Sequence, residues 1–219
     1  MRGWLNAGTP QIGLTATPYR NVENETRRLR NYYNNNNILS NTMLNENPYE
    51  WLYENGYLSE VKFESLTGSQ YELTDDEMEE YQRMNGAKIP YSFQNKIVTD
   101  TTRNRTIVDS IVNSNFNSTL VFATNTKHAQ NLSALLQRNG TKSACIDYNT
   151  PMPLRRYHID QFRQGKLKVL TNVNVFTEGF DAPGIDSIYI ARPVFSTINF
   201  MQIIGRGLRG PKNNGNKIC

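Results

Sequence analysis

The chain has 219 residues, 37% hydrophobic and 20% charged, which is enough for a folded core in one large domain or two small ones. It contains no apolar run near the ~20 residues of a membrane span, no signal-peptide core, and only two cysteines. We therefore expect a cytoplasmic protein with no membrane partner, no disulfide framework and no metal site.

The first 90 residues are acidic and their predicted elements are sparse. Residues 1–20 end in the strand-like run QIGLTATPYR, and an asparagine-rich stretch follows. A short helix is predicted over 48–58, ended by Gly56, and residues 57–66 have strand character. Thr74 is expected to cap an acidic, solvent-facing helix over 74–84. Residues 21–90 therefore read as a connector with little core of its own.

From about residue 100, predicted strands alternate with predicted helices. The strands are STLVFAT (118–124), KSACIDYN (142–149), LKVLTNVNVF (167–176) and DSIYIARP (186–193). The helices are NRTIVDSIV (104–112), HAQNLSALLQRNG (128–140, ended by Gly140), PLRRYHIDQFRQG (153–165, capped by Thr150 and ended by Gly165) and a last one capped by Ser196. This alternation is typical of the α/β class with a parallel, doubly wound sheet.

The last predicted helix carries QIIGRGLRG at residues 202–210. On a helical wheel, Gln202, Arg206 and Arg209 lie within roughly 60° of each other, opposite an apolar side. The apolar side comprises Phe200, Met201, Ile204 and Leu208. Glycines flank Arg206 and leave room for another surface. Aligned arginines suit a phosphate, although an ordinary solvated helix face is the alternative.

Residues 169–186, VLTNVNVFTEGFDAPGID, run from a predicted buried strand into a polar loop. In open α/β sheets, ligands bind beyond the carboxyl ends of the strands, and this loop is expected there. Its candidate ligand-facing residues are Thr171, Asn172, Thr177, Glu178 and Asp181, with Gly179 and Gly184 allowing tight turns.

These stretches together resemble the superfamily 2 helicases. TAT (15–17), LVFAT (120–124), LTNVNVFTEGFD (170–181) and QIIGRGLRG look like motifs III, IV, V and VI in chain order. The likeness is strongest to DEAD/DEAH-type proteins related to the helicase subunits of restriction enzymes. GYL at 56–58 and the segment 147–156 match the same pattern. The resemblance implies a C-terminal RecA-like domain over 91–219, incomplete at its end: a parallel sheet with flanking helices. It also implies a connector over 21–90 and a remnant of the first RecA-like domain over 1–20.

Such helicases clamp ATP between two RecA-like domains. The resemblance implies that Arg206 and Arg209 are arginine fingers for the ATP phosphates and that Gln202 orders their interface. It places Gly179, Glu178 and Asp181 near the nucleotide. It assigns contacts with the nucleic-acid backbone to Thr124, Asn125, Arg155, Thr171, Asn172 and Thr177, and coupling of ATP state to nucleic-acid binding to Thr15 and Thr17.

The sequence departs from the family in its nucleotide cradle. It has no G-x-x-x-x-G-K-[ST] loop and no DEAD or DEAH box, the elements that hold the phosphates and Mg²⁺. We expect ATP and Mg²⁺ in a complete motor with a Walker A-containing RecA-like domain, from the same parent chain or another subunit. This chain alone is expected to need no cofactor and to hydrolyse no ATP.

The predicted function is therefore the C-terminal part of an ATP-dependent helicase or translocase acting on nucleic acid, with DNA favoured over RNA. A net charge of +9 over residues 91–219, against −5 over 1–90, fits a polyanionic partner. The alternative is a non-catalytic module that binds nucleic acid or a protein. Four further features are expected to be structural: His128, His158, Cys145 and the acidic run 75–80.

Overall fold

The computed structural model describes residues 23–32, 48–84, 89–173, 184–194, 196–213 and 215. The chain divides into two units, residues 1–39 and residues 40–219. In the first unit the described part is helix α1 (Glu23–Tyr32), which has two glutamates in its first turn. Acidic side chains there offset the partial positive charge of a helix N-terminus.

The second unit is built on four parallel strands. They are β1 (Thr119–Ala123), β2 (Ser143–Ile146), β3 (Val169–Asn172) and β4 (Ser187–Ala191), in the spatial order β2-β3-β1-β4. Phe122 of β1 is in register with Asn172 on one side and with Ile190 on the other. All carboxyl ends therefore lie at one edge of the sheet, as predicted for the α/β class.

Seven helices are described in the second unit. Their bounds are α2 (Pro48–Glu54), α3 (Asp75–Arg83), α4 (Tyr91–Thr99), α5 (Thr101–Asn113), α6 (Thr126–Arg138), α7 (Met152–Arg163) and α8 (Thr197–Ile204), and a 3₁₀ turn spans Pro211–Asn213.

Helices cover both faces of the sheet, which makes three layers. On one face, α5 and α6 pack on β1 and β3 through Ile111, Leu132 and Leu136. On the other, Phe162 of α7 and Ile203 of α8 pack on the opposite side of the same strands. Because both faces are covered, β1 and β3 are buried at every position, as parallel strands usually are.

Several predicted helix boundaries are confirmed. Gly56, Gly140 and Gly165 follow α2, α6 and α7 with φ of +72°, +79° and +68°, a region that favours glycine. Thr74 caps α3 in a capping box with Glu77. Ser196 caps α8 through its Oγ, which accepts from the Asn199 N–H at 3.1 Å.

Four local predictions are wrong. Thr150 does not cap α7, because its hydroxyl is bound to Asp147 and Pro151 is the N-cap residue. The acidic face of α3 is not wholly solvated, because Glu77 is buried and accepts from Ser92 Oγ and Lys96 Nζ. Residues 57–66 form no strand and contribute only isolated bridges, among them that of Leu58 with Arg209.

The fourth concerns the segment QIIGRGLRG, which is not one helix. Helix α8 ends at Ile204, with Gly205 as its C-cap. The following amides of Arg206 and Gly207 donate to carbonyls three residues back, at 3.1 and 2.9 Å, and then the chain leaves helical geometry. The predicted alignment of Gln202, Arg206 and Arg209 on one helical stripe is therefore wrong.

Candidate nucleotide and nucleic-acid site

The first part of the site is the residues that follow β1 at the carboxyl edge of the sheet. Thr124 is half-buried, and its hydroxyl donates to the Ala191 carbonyl of β4 at 3.2 Å. Asn125 caps α6 by accepting from the His128 N–H at 2.9 Å. Both predicted contacts with nucleic acid are thus held rigidly at the edge where ligands bind in open α/β sheets.

A buried histidine, His128, is hydrogen-bonded to Thr124 and Asn125, the two residues that follow β1. His128 is fully buried, and its Nδ1 accepts from the Thr124 N–H at 3.2 Å. The ring proton therefore lies on Nε2, which donates to Asn104 Oδ1 at 2.9 Å. Burial, aided by the charge of Arg103, lowers the pKa of His128 to about 4. His128 is neutral at pH 7 and structural, as predicted.

The second part of the site follows β2. Residues 147–150 form a turn in which Asp147 accepts from the Asn149 N–H and from the Thr150 hydroxyl at 2.9 and 3.0 Å. Arg155 of α7 donates from its guanidinium to the Asp147 carbonyl at 2.8 Å. Arg155 thus links the turn to α7, and its contact with a nucleic-acid backbone stays a prediction.

The residues at the end of β3 are enclosed by the sheet. Thr171 and Asn172 have no exposed surface. Thr171 Oγ1 donates to the Ala129 carbonyl at 2.8 Å, and Asn172 Nδ2 donates to the Val121 carbonyl at 3.1 Å. In this structure neither side chain presents a surface to a nucleic acid, contrary to the expectation from the sequence. The physical reason is that α6 covers one face of β3 while α7 and α8 cover the other.

The third part of the site is the end of α8 and the segment that follows it. Gln202, Arg206 and Arg209 are each partly buried. Arg209 forms an antiparallel bridge with Leu58, and its carbonyl accepts from Ser59 Oγ at 2.7 Å. Sequence reasoning missed Ser59 as part of the site. The one signal was GYL at 56–58, which matches the helicase pattern beside it.

Six predicted site residues lie outside the described residues: Thr15, Thr17, Thr177, Glu178, Gly179 and Asp181. Within the described ranges, no three His, Cys, Asp or Glu side chains are grouped as metal ligands would be. Cys145 lies in β2, where burial raises the pKa of its thiol. None of the described helices is long and apolar enough to span a membrane.

The parallel sheet, its two helical layers and the polar residues beyond its carboxyl edge define a RecA-like helicase C-terminal domain. Residues 102–210 match the helicase conserved C-terminal domain family. This part of the chain is accordingly a helicase C-terminal domain, which confirms the resemblance of its motifs to the superfamily 2 helicases. The narrower likeness to restriction-enzyme subunits stays a prediction.

Individual relatives match parts of the chain. It is 40% identical over 92 residues to the putative ATP-dependent helicase IRC3 of Saccharomyces cerevisiae, across 42% of this chain and 13% of the relative. It is 26% identical over 208 residues to a 51.5 kDa protein of a Lactococcus phage, across 93% of this chain and 41% of that protein. The chain thus spans less than half the length of these relatives. A DEAD box protein from the hyperthermophile Methanococcus jannaschii is 24% identical across 53% of this chain and 31% of its own, with a TM-score of 0.46.

Proposed function

We infer that this chain supplies the C-terminal part of an ATP-dependent helicase or translocase. The observation that carries this proposal is the match of residues 102–210 to the helicase C-terminal family, with the arginine-bearing segment 206–209 directly after the last helix. In the proposal, Arg206 and Arg209 act as arginine fingers on ATP bound by a second RecA-like domain. Gln202 supports that interface. Arginine suits this role because its charge is permanent and its fork binds phosphate oxygens in pairs.

Nucleic acid is the proposed substrate of the motor, with DNA favoured over RNA. Support comes from the net charge of +9 over residues 91–219 and from the carboxyl-edge position of Thr124 and Asn125. Arg155 remains a proposed backbone contact, with its guanidinium oriented by the hydrogen bond to the Asp147 carbonyl. Contacts of this kind do not read base sequence, which suits a motor that moves along any strand.

The chain alone is proposed to turn over no ATP. Its 219 residues contain neither a Walker A loop nor a DEAD or DEAH box. Arginine fingers stabilise charge on a phosphoryl group that another element must bind, orient and complex with Mg²⁺. In the complete motor, ATP and Mg²⁺ would be held mainly by the partner domain, with Gly179, Glu178 and Asp181 proposed to complete the site from this side.

Two measurements on the isolated chain test this proposal. The first is ATP turnover, with and without single- and double-stranded DNA, which we expect to be indistinguishable from the buffer blank. Turnover that disappears in Arg206→Ala would contradict the proposal. The second is fluorescence anisotropy with DNA and RNA oligonucleotides of equal length over a range of salt concentrations. We expect weak binding whose affinity falls as the salt concentration rises. Absence of binding at low salt would contradict the proposal that this chain contacts nucleic acid.

A further inference from the structure

Residues 56–59 lie in the segment that the sequence predicts to be a connector (21–90), and several hydrogen bonds besides the Leu58–Arg209 bridge join them to the arginine-bearing segment. One amide and one carbonyl of the connector pair with the segment after α8: Ser59 N–H donates to the Leu208 carbonyl at 3.0 Å, and the Tyr57 carbonyl accepts from Gly210 N–H at 3.0 Å. Lys212 N–H donates to the Gly56 carbonyl at 2.9 Å. Residues 56–59, here called the strap, thus run antiparallel to residues 208–212.

Side chains reinforce this pairing at both ends. Ser59 is buried, and its hydroxyl donates to the Arg209 carbonyl at 2.7 Å. Lys212 Nζ lies 4.7 Å from the centre of the Tyr57 ring, whose other neighbour is the stacked ring of Trp51. The Asn213 amide donates to the Tyr57 carbonyl at 3.0 Å. The backbone at Arg209 is therefore held on the connector side by a hydroxyl and by flanking amide hydrogen bonds.

Two glycines make the close approach possible. Gly56 has a φ of +72°, and a Cβ at Gly210 would overlap the Gly56 carbonyl oxygen and stand 2.8 Å from the Leu58 nitrogen. Gly210 is buried. These two positions explain why glycines occur in GYL and at the end of QIIGRGLRG: a side chain at Gly210 would separate the two segments.

We propose that the strap, through the Ser59 hydroxyl and the Gly56–Gly210 backbone contact, is the positioning element for the arginines at 206 and 209. Those arginines lie after the end of α8, so the helix alone does not fix their backbone. The strap holds Leu208, Arg209 and Gly210 in succession and so sets the path of the segment. Since the strap belongs to the connector, a change in the connector reaches the arginines directly. The expected effect of the strap on ATP turnover rests on the proposed function, whereas its effect on the backbone of residues 208–210 does not.

The structural consequence is tested on the 219-residue chain by amide hydrogen exchange. Ser59→Ala should speed exchange at Gly210 and Lys212 about fivefold, the equivalent of about 1 kcal/mol for one lost hydrogen bond. Gly210→Ala should speed exchange across 56–59 and 208–212 by more than Ser59→Ala does, while amides of β1 and β3 keep their protection. The matched control is Ser114→Ala, which removes a hydroxyl that donates to the Ile111 carbonyl at 2.8 Å, far from the strap in sequence. Unchanged exchange in both strap variants would overturn the proposal.

The catalytic consequence is tested in the complex of this chain with the Walker A-containing domain. Displacing a transition-state group by about 1 Å can cost about 100-fold, so Gly210→Ala should lower kcat by up to that factor, with KM for ATP changed by less than about twofold. Ser59→Ala should give a smaller loss of the same kind, and Ser114→Ala none. If Arg206→Ala abolishes turnover while both strap variants leave kcat unchanged, the strap proposal fails and the proposed function stands. If Arg206→Ala leaves turnover intact, or the complex shows none, the proposed function fails and the strap has no arginine finger to position.

Discussion

As pH falls, protonation of His128 in the unfolded chain should lower the free energy of unfolding before the carboxylates of the domain begin to titrate. His128 is fully buried, its Nδ1 accepts from a backbone N–H and its Nε2 donates to Asn104. A second proton on the ring would have to sit on Nδ1, where it would face the Thr124 N–H donor. The positive charge of Arg103 also repels the imidazolium. The folded state disfavours the imidazolium, whereas the unfolded chain accepts the proton near pH 6.5.

The sign and size follow from the two pKa values. The pKa of His128 falls from 6.5 in the unfolded chain to about 4 in the folded protein. Below pH 6.5 the unfolded state binds more protons, so the free energy of unfolding falls as pH falls. A shift of one pKa unit corresponds to about 1.4 kcal/mol, so the loss is about 2 kcal/mol at pH 5 and about 3 kcal/mol once pH is below 4.

Urea unfolding between pH 7.5 and 4.5 measures this loss. Burial also lowers the pKa of His158, so the experiment is done in His158→Gln, which leaves His128 as the one histidine of the chain. Hydrogen bonds hold the pKa values of Glu77 and Asp100 at about 2, chiefly those from Ser92 and from the Arg103 amide. The stability that these two carboxylates contribute is therefore lost at a lower pH than the stability that depends on His128. A free energy of unfolding that stays constant from pH 7 to 5, or an NMR titration of His128 near pH 6.5, would refute the reasoning.

Three further results are expected. Leu132→Ala should cost about 2–5 kcal/mol of stability because Leu132 is buried between α6 and the sheet, whereas Leu154→Ala, at an exposed position, should cost under about 1 kcal/mol; equal losses in urea unfolding would contradict the assigned core. Thr74→Ala should cost about 1 kcal/mol by removing the cap of α3, with Thr102→Ala as the exposed control; an unchanged melting curve would argue against the capping box. Asn104→Ala should cost about 1–3 kcal/mol because it leaves His128 Nε2 and the Val98 carbonyl without their partner, and circular dichroism melts that match the parent chain would refute this network.

The sheet and most helices could be predicted from the sequence because the patterns that indicate them are local. The run Leu120–Ala123 of β1 is apolar, β3 begins with Val169 and Leu170, and glycine-ended helices lie between the two strands. Such patterns indicate burial without knowledge of the partners. The same reasoning reached the family because its motifs are short and ordered along the chain. It had no means to see that Thr171 and Asn172, polar in the sequence, lie fully buried with their amide and hydroxyl groups bound to backbone carbonyls.

The remaining errors come from contacts between distant parts of the chain. Glu77 is buried because Ser92 and Lys96 of another helix bind it, and periodicity within α3 carries no trace of them. The helix predicted to continue through residues 205–209 does not form there. Instead, the backbone carbonyls of Leu208 and Arg209 accept hydrogen bonds from Ser59 of the strap, about 150 residues earlier in the chain. Thr150 was expected to cap α7 and instead closes the turn at Asp147, an alternative open to any threonine hydroxyl near a free backbone amide.

The central claim is that Arg206 and Arg209 act on ATP bound by a partner domain. The most direct test is steady-state ATP turnover by this chain combined with the Walker A-containing RecA-like domain, in the presence of DNA. We expect Arg206→Ala to lower kcat about 10³-fold or more, the usual effect of removing an arginine finger, with little change in KM. Arg105→Ala, at an exposed arginine on α5 that pairs with Asp109, should leave both constants unchanged. Equal turnover by the Arg206→Ala and Arg105→Ala variants would contradict the account.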